Sequence, residues 1–75
     1  MADEKALPWV REFLEDGNEA VRLNGLAVLR NILDAPLGDE ELATARELFD
    51  IAESDSKPSV RERAVRTRQQ CILRR

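Results

Sequence analysis

Seventy-five residues make one small domain at most, and a chain this short buries only about 60 to 65 % of its unfolded surface, so its core must be thin. One cysteine, Cys71, excludes a disulfide framework and fits a reducing compartment or a thiol packed as a small hydrophobe. The formal charge is −3 and there is no histidine, which removes the commonest general base and a major metal ligand.

Four segments carry apolar residues at helical spacing, and strand signals are few. The first is predicted over about Leu7 to Glu15, with Leu7, Val10, Phe13 and Leu14 on one side. Pro8 suits its first turn, where the missing N–H costs nothing. Asp16-Gly17-Asn18 is a turn signal, and Asn18 is a candidate N-cap. The second helix is predicted over about Glu19 to Leu33, with Val21, Gly25, Val28, Leu29 and Ile32 as its stripe. Gly25 costs roughly 1 kcal/mol relative to alanine in mid-helix, which close helix approach would explain.

Pro36 and Gly38 enforce a break. The third helix begins at Asp39, with Glu40 and Glu41 where the macrodipole favours acids, and its stripe is Leu42, Ala45, Leu48, Phe49 and Ala52. Ser54 to Lys57 form a second turn. Pro58 opens the fourth helix, and Ser59-x-x-Glu62 has the pattern of a capping box. From residue 61 onward the chain holds six arginines and one acid, Glu62, whereas the first sixty residues hold six bases and fourteen acids. Such asymmetry marks either a basic interaction surface or Arg-rich and Glu-rich helices that face each other.

The chain also repeats itself at an offset of 39 residues. Asp16 falls on Asp55, Val21 on Val60, Arg22 on Arg61, Gly25 on Ala64, Leu26 on Val65 and Trp9 on Leu48. A period near forty is that of a helical hairpin repeated in a solenoid. Short connections make successive helices antiparallel neighbours. The expected fold is all-α: two stacked antiparallel helical hairpins, four helices in a short α-solenoid. It is a single domain over 1–75, with repeat one over about 5–34 and repeat two over about 39–75.

F-L-E-D-G-N-E-A-V-R-L-N-G-L-A-V-L and I-A-E-S-D-S-K-P-S-V-R-E-R-A-V each resemble a HEAT repeat, whose second helix opens with D-x-x-x-x-V-R-x-x-A. The second copy keeps the family's proline as Pro58. The first has Glu19 in its place and Gly25 in place of the usual alanine. The resemblance implies that Asp16, Arg22, Asp55 and Arg61 tie turns to neighbouring repeats. An arginine near a helix start points back over the preceding turn, where its fork reaches carbonyls or a carboxylate. It also implies a binding side on the second helix of each pair, formed by Leu23, Arg30 and Asp34 beside Glu62, Arg66, Gln69 and Leu73.

Arg22, Leu26, Leu29 and Leu33 share one flank of the second helix. The matched flank of the fourth is Arg61, Val65, Arg68 and Ile72, an open end face partly capped by Arg68, since terminal repeats need a polar outer side. Burial of Val65 and Ile72 against a second copy would give at most a weak homodimer. Trp9 is expected in the core, with an exposed binding anchor as the alternative.

No Gly-rich phosphate loop or activated nucleophile is present, so neither enzyme activity nor a cofactor is expected. The expected function is a non-catalytic scaffold or adaptor that binds another protein. The alternatives are nucleic-acid binding through the arginine-rich helix, and a structural self-associating subunit or solenoid fragment. The acidic start lacks a secretory pattern and no apolar run approaches the ~18 residues of a membrane span, so a soluble cytoplasmic protein is expected.

Overall fold

The computed structural model describes residues 6–71. Among them are four helices and no strand: α1 (Leu7–Leu14), α2 (Glu19–Leu33), α3 (Asp39–Glu53) and α4 (Pro58–Cys71). α1 and α2 form one hairpin and α3 and α4 the other. They stack with α1 on α3 and α2 on α4. Ile72 and Leu73, placed by the sequence on the end face and the binding side, lie outside the described residues.

Local chemistry sets the boundaries. Pro8 sits in the first turn of α1. The Asn18 side-chain oxygen accepts from the Ala20 N–H at 2.8 Å and starts α2. Gly38 flanks α3 in an extended conformation without a side-chain cap, and Asp39, Glu40 and Glu41 fill the first turn. Ser59 does not act as a capping-box residue. It lies within the first turn of α4, and its hydroxyl donates to Glu19 of α2, stitching the two hairpins together.

The core is one cluster shared by both hairpins. Val10, Leu26, Leu29, Ile32, Leu33, Leu48, Phe49 and Val60 are fully buried. Each such side chain contributes about 1.5–3 kcal/mol on burial. Much of that burial exists only when the hairpins are stacked, because Leu26, Leu29 and Leu48 lie on the flanks that face the other repeat.

The hairpins are not equally tight. A Cβ built on Gly25 would stand 2.9 Å from the Phe13 Cβ and 3.4 Å from Leu14. Glycine therefore permits the close approach of α2 to α1. At the matched positions of the second hairpin two small residues, Ala52 and Ala64, are both buried. Cys71, matched to the fully buried Ile32, is only partly covered by the core.

Trp9 is the clearest departure from expectation. It is 61 % exposed, whereas Leu48, 39 residues later, is fully buried. The reason is position in the stack. α3 packs on α1, which covers Leu48, whereas among the described residues no helix packs on the corresponding flank of α1.

Candidate functional site

The two turns are built alike. In the first, Asp16 Oδ1 accepts from the Asn18 N–H at 2.8 Å, and Arg22 Nη1 donates to the Asp16 carbonyl at 2.7 Å. In the second, Asp55 Oδ1 accepts from the Lys57 N–H at 2.8 Å, and Arg61 Nη1 donates to the Asp55 carbonyl at 2.9 Å. One rung joins them: Arg22 Nε lies 2.7 Å from Asp55 Oδ2, with side chains only 10 % and 8 % exposed. The buried Nε–H is not aligned on that oxygen, so charge rather than a well-formed hydrogen bond holds the contact. Asp16 and Arg61 have no such rung among the described residues.

The α3/α4 end of the stack is polar where the internal interface is apolar. Leu14 and Leu29, both buried, are matched by Glu53 and Arg68. Arg68 Nη1 reaches Asp50 Oδ1 at 2.9 Å and Glu53 Oε2 at 3.3 Å. The hydrogen bond to Asp50, reinforced by Glu53, holds the Arg68 guanidinium above its already high ordinary pKa. On the same face Val65 is 43 % exposed, while its counterpart Leu26 is 1 % exposed. An open groove runs there, lined by Glu53, Arg61, Glu62, Val65, Arg66 and Gln69.

A second groove, of about 310 Å3, lies along the seam of α2 and α4. Arg30, Arg63, Arg66, Thr67 and Gln70 line it. No carboxylate is among them, and none of the three arginines has an ion-pair partner among the described residues. Thr67 is buried at its floor, 4 % exposed. Arginines held side by side without acids form a site for an anionic group, which their planar forks bond in two places at once.

Of the seven residues expected on a single binding side, Leu73 lies outside the described residues, Asp34 is exposed and lines neither groove, and the other five divide. Arg30 and Arg66 share the α2/α4 groove, Glu62 and Gln69 line the end groove with Arg66, and Leu23 is partly buried against the core. Arg63 and Gln70 complete the arginine groove and were not among the expected residues. Their spacing with Arg66 along α4, i, i+3 and i+7, was a readable signal. The arginine-rich helix thus divides its charge. Arg68 faces acids of α3 and Arg61 holds a turn, whereas Arg63 and Arg66 face solvent.

Among the described residues no helix is long and apolar enough to cross a membrane. No protein-family model matches the chain, and neither a curated protein nor a solved structure matches it.

Proposed function

We propose that this chain is a small non-catalytic HEAT-like scaffold that binds another protein, and that the groove between α2 and α4 receives an acidic segment of that partner. The observation that carries the reading is the set Arg30, Arg63 and Arg66, which line one groove with no carboxylate among them. The twice-used turn, with its aspartate and arginine joined across the hairpins, supports the HEAT-like assignment. A lone cysteine in a disulfide-free chain supports a cytoplasmic setting.

A protein partner is favoured over nucleic acid. Only part of the arginine-rich helix is available for phosphates, because Arg61 and Arg68 are engaged within the chain. No aromatic residue lines the groove for base stacking.

The test is a titration at low salt with a fluorescent glutamate-rich peptide and, separately, a short DNA duplex. The peptide is expected to bind, and Arg66→Glu to weaken it about tenfold, the effect of ~1.4 kcal/mol. Arg46→Glu, an exposed change away from the groove, should leave it unaltered. Duplex binding tighter than peptide binding would favour the nucleic-acid reading. Absence of binding to either probe refutes the groove as an anion site.

A further inference from the structure

The two ends of the stack are chemically complementary, group by group. At the α1/α2 end stand the exposed Trp9 and the carboxylate of Asp16, which has no cation opposite it among the described residues. At the α3/α4 end stand the half-exposed Val65 and the guanidinium of Arg61, which is anchored to the Asp55 carbonyl by one nitrogen and makes no ion pair among the described residues. Each group has a counterpart 39 residues away that is engaged inside the chain. Arg61 corresponds to Arg22 and Asp16 to Asp55, which form the buried rung. Val65 corresponds to Leu26 and Trp9 to Leu48, which are buried between the hairpins.

We propose that copies of this chain associate head to tail, the α3/α4 face of one receiving the α1/α2 face of the next in the register that joins the two hairpins internally. In that register Arg61 of one copy meets Asp16 of the next as Arg22 meets Asp55. Trp9 takes the place of Leu48, and Val65 takes that of Leu26. The surface involved shares only Arg66 with the arginine groove, and the inference does not depend on the function proposed above.

Three features argue for a second copy in this orientation. The first is charge: Arg61 presents a cation at one end and Asp16 an anion at the other, so a head-to-tail contact pairs opposite charges. A two-fold contact of α4 on α4 would set Arg61 near Arg61. The second is preorganisation. Arg61 is already held over its turn by the counterpart of the bond that Arg22 donates to the Asp16 carbonyl of its own turn, at 2.9 Å against 2.7 Å. The third is that the two large apolar side chains exposed among the described residues, Trp9 and Val65, fall at positions that are buried at the internal interface.

One feature limits the strength of the contact. Glu53 and Arg68 stand where the internal interface has Leu14 and Leu29, and covering this ion pair costs desolvation. The contact therefore belongs to the weak class of small interfaces, with a dissociation constant on the order of 0.1 mM. Because it is heterologous, it leaves one free face at each end and continues beyond two copies.

Sedimentation over a concentration series from about 10 μM to about 1 mM, bracketing that constant, tests this. The weight-average mass is expected to rise past that of two chains. Arg61→Asp and Asp16→Arg should each stay monomeric alone. An equimolar mixture should associate again, since every junction then pairs an acid with a base. Because Asp16 also closes its turn, Trp9→Glu and Val65→Glu provide exposed changes that should abolish association while leaving the helical circular dichroism intact. A constant monomer mass, a plateau at two chains, a mixture that stays monomeric, or glutamate variants that assemble like the parent would each overturn the proposal.

Discussion

Replacing Arg22 by methionine keeps the aliphatic stem over the core and removes the charge. Asp55 is then left with a carboxylate whose side chain is 8 % exposed and whose Oδ2 has lost its cation at 2.7 Å. Removing one partner of a buried pair costs about 3–5 kcal/mol. The lost bond to the Asp16 carbonyl adds about 1 kcal/mol. The pair lies at the edge of the stack, where water relieves part of this, so about 3 kcal/mol is expected. The whole stability of a domain this size is about 4–11 kcal/mol. The melting midpoint should fall by roughly 12–24 °C. Arg61→Met is the internal control: it removes one hydrogen bond at an exposed site and should cost less than about 1 kcal/mol. Asp55→Asn keeps the Oδ1 acceptor for Lys57 and completes a double-mutant cycle with Arg22→Met, in which a coupling near 2 kcal/mol is expected. Urea denaturation of the parent, the three single variants and the double variant supplies the numbers. Single changes that add within about 0.5 kcal/mol, or an Arg61→Met as costly as Arg22→Met, would refute the reasoning.

Gly25→Ala gains about 1 kcal/mol in helix propensity but sets a Cβ at 2.9 Å from the Phe13 Cβ, which cannot rotate away, so a net loss of about 1 kcal/mol is expected by thermal denaturation. A raised midpoint would show that α1 and α2 separate freely. The double change Glu53→Leu with Arg68→Leu rebuilds on the end face the apolar pair found at Leu14 and Leu29. It should shift self-association to at least tenfold lower concentration in sedimentation, and an unchanged mass profile would show that the ion pair is not what limits the contact.

Much of the architecture was legible because turns and repeats are local or periodic. Asp16 to Asn18, Pro36 to Gly38 and Ser54 to Lys57 each interrupt the chain by their own local chemistry, Pro58 opens α4, and the helices stop just before those breaks. The 39-residue offset set Arg22 on Arg61 and Asp16 on Asp55, and the resemblance to HEAT repeats implied that these residues tie a turn to the neighbouring repeat. Trp9 was misread because hydrophobicity reports what a side chain prefers, not whether a neighbour exists to cover it. At the end of a stack the neighbour is missing. Ser59 has the spacing of a cap, yet Glu19 competes for its hydroxyl from a helix 40 residues away in sequence, which local pattern cannot reveal. Arg68 was recognised as a polar replacement for Leu29, but not its partners. The substitution of Leu14 by Glu53 at the same offset carried that information. The arginine groove was half visible: Arg30 and Arg66 share it, but Arg63 and Gln70 complete it because α4 lies along α2 with that edge outward.

The Asp55 carboxylate does two things at once. Oδ1 closes its own turn on Lys57, while Oδ2 holds Arg22 from the preceding hairpin. Closing the second turn and docking the second hairpin are therefore coupled steps. A hairpin that undocks also loses the charge that orients its turn, and a turn that opens releases its neighbour. Such coupling removes the half-folded species, one hairpin formed and the other loose, that a weakly joined array would populate. For a chain with so little core this favours all-or-none unfolding, with amide protons in α2 and α3 exchanging through a common opening rather than hairpin by hairpin.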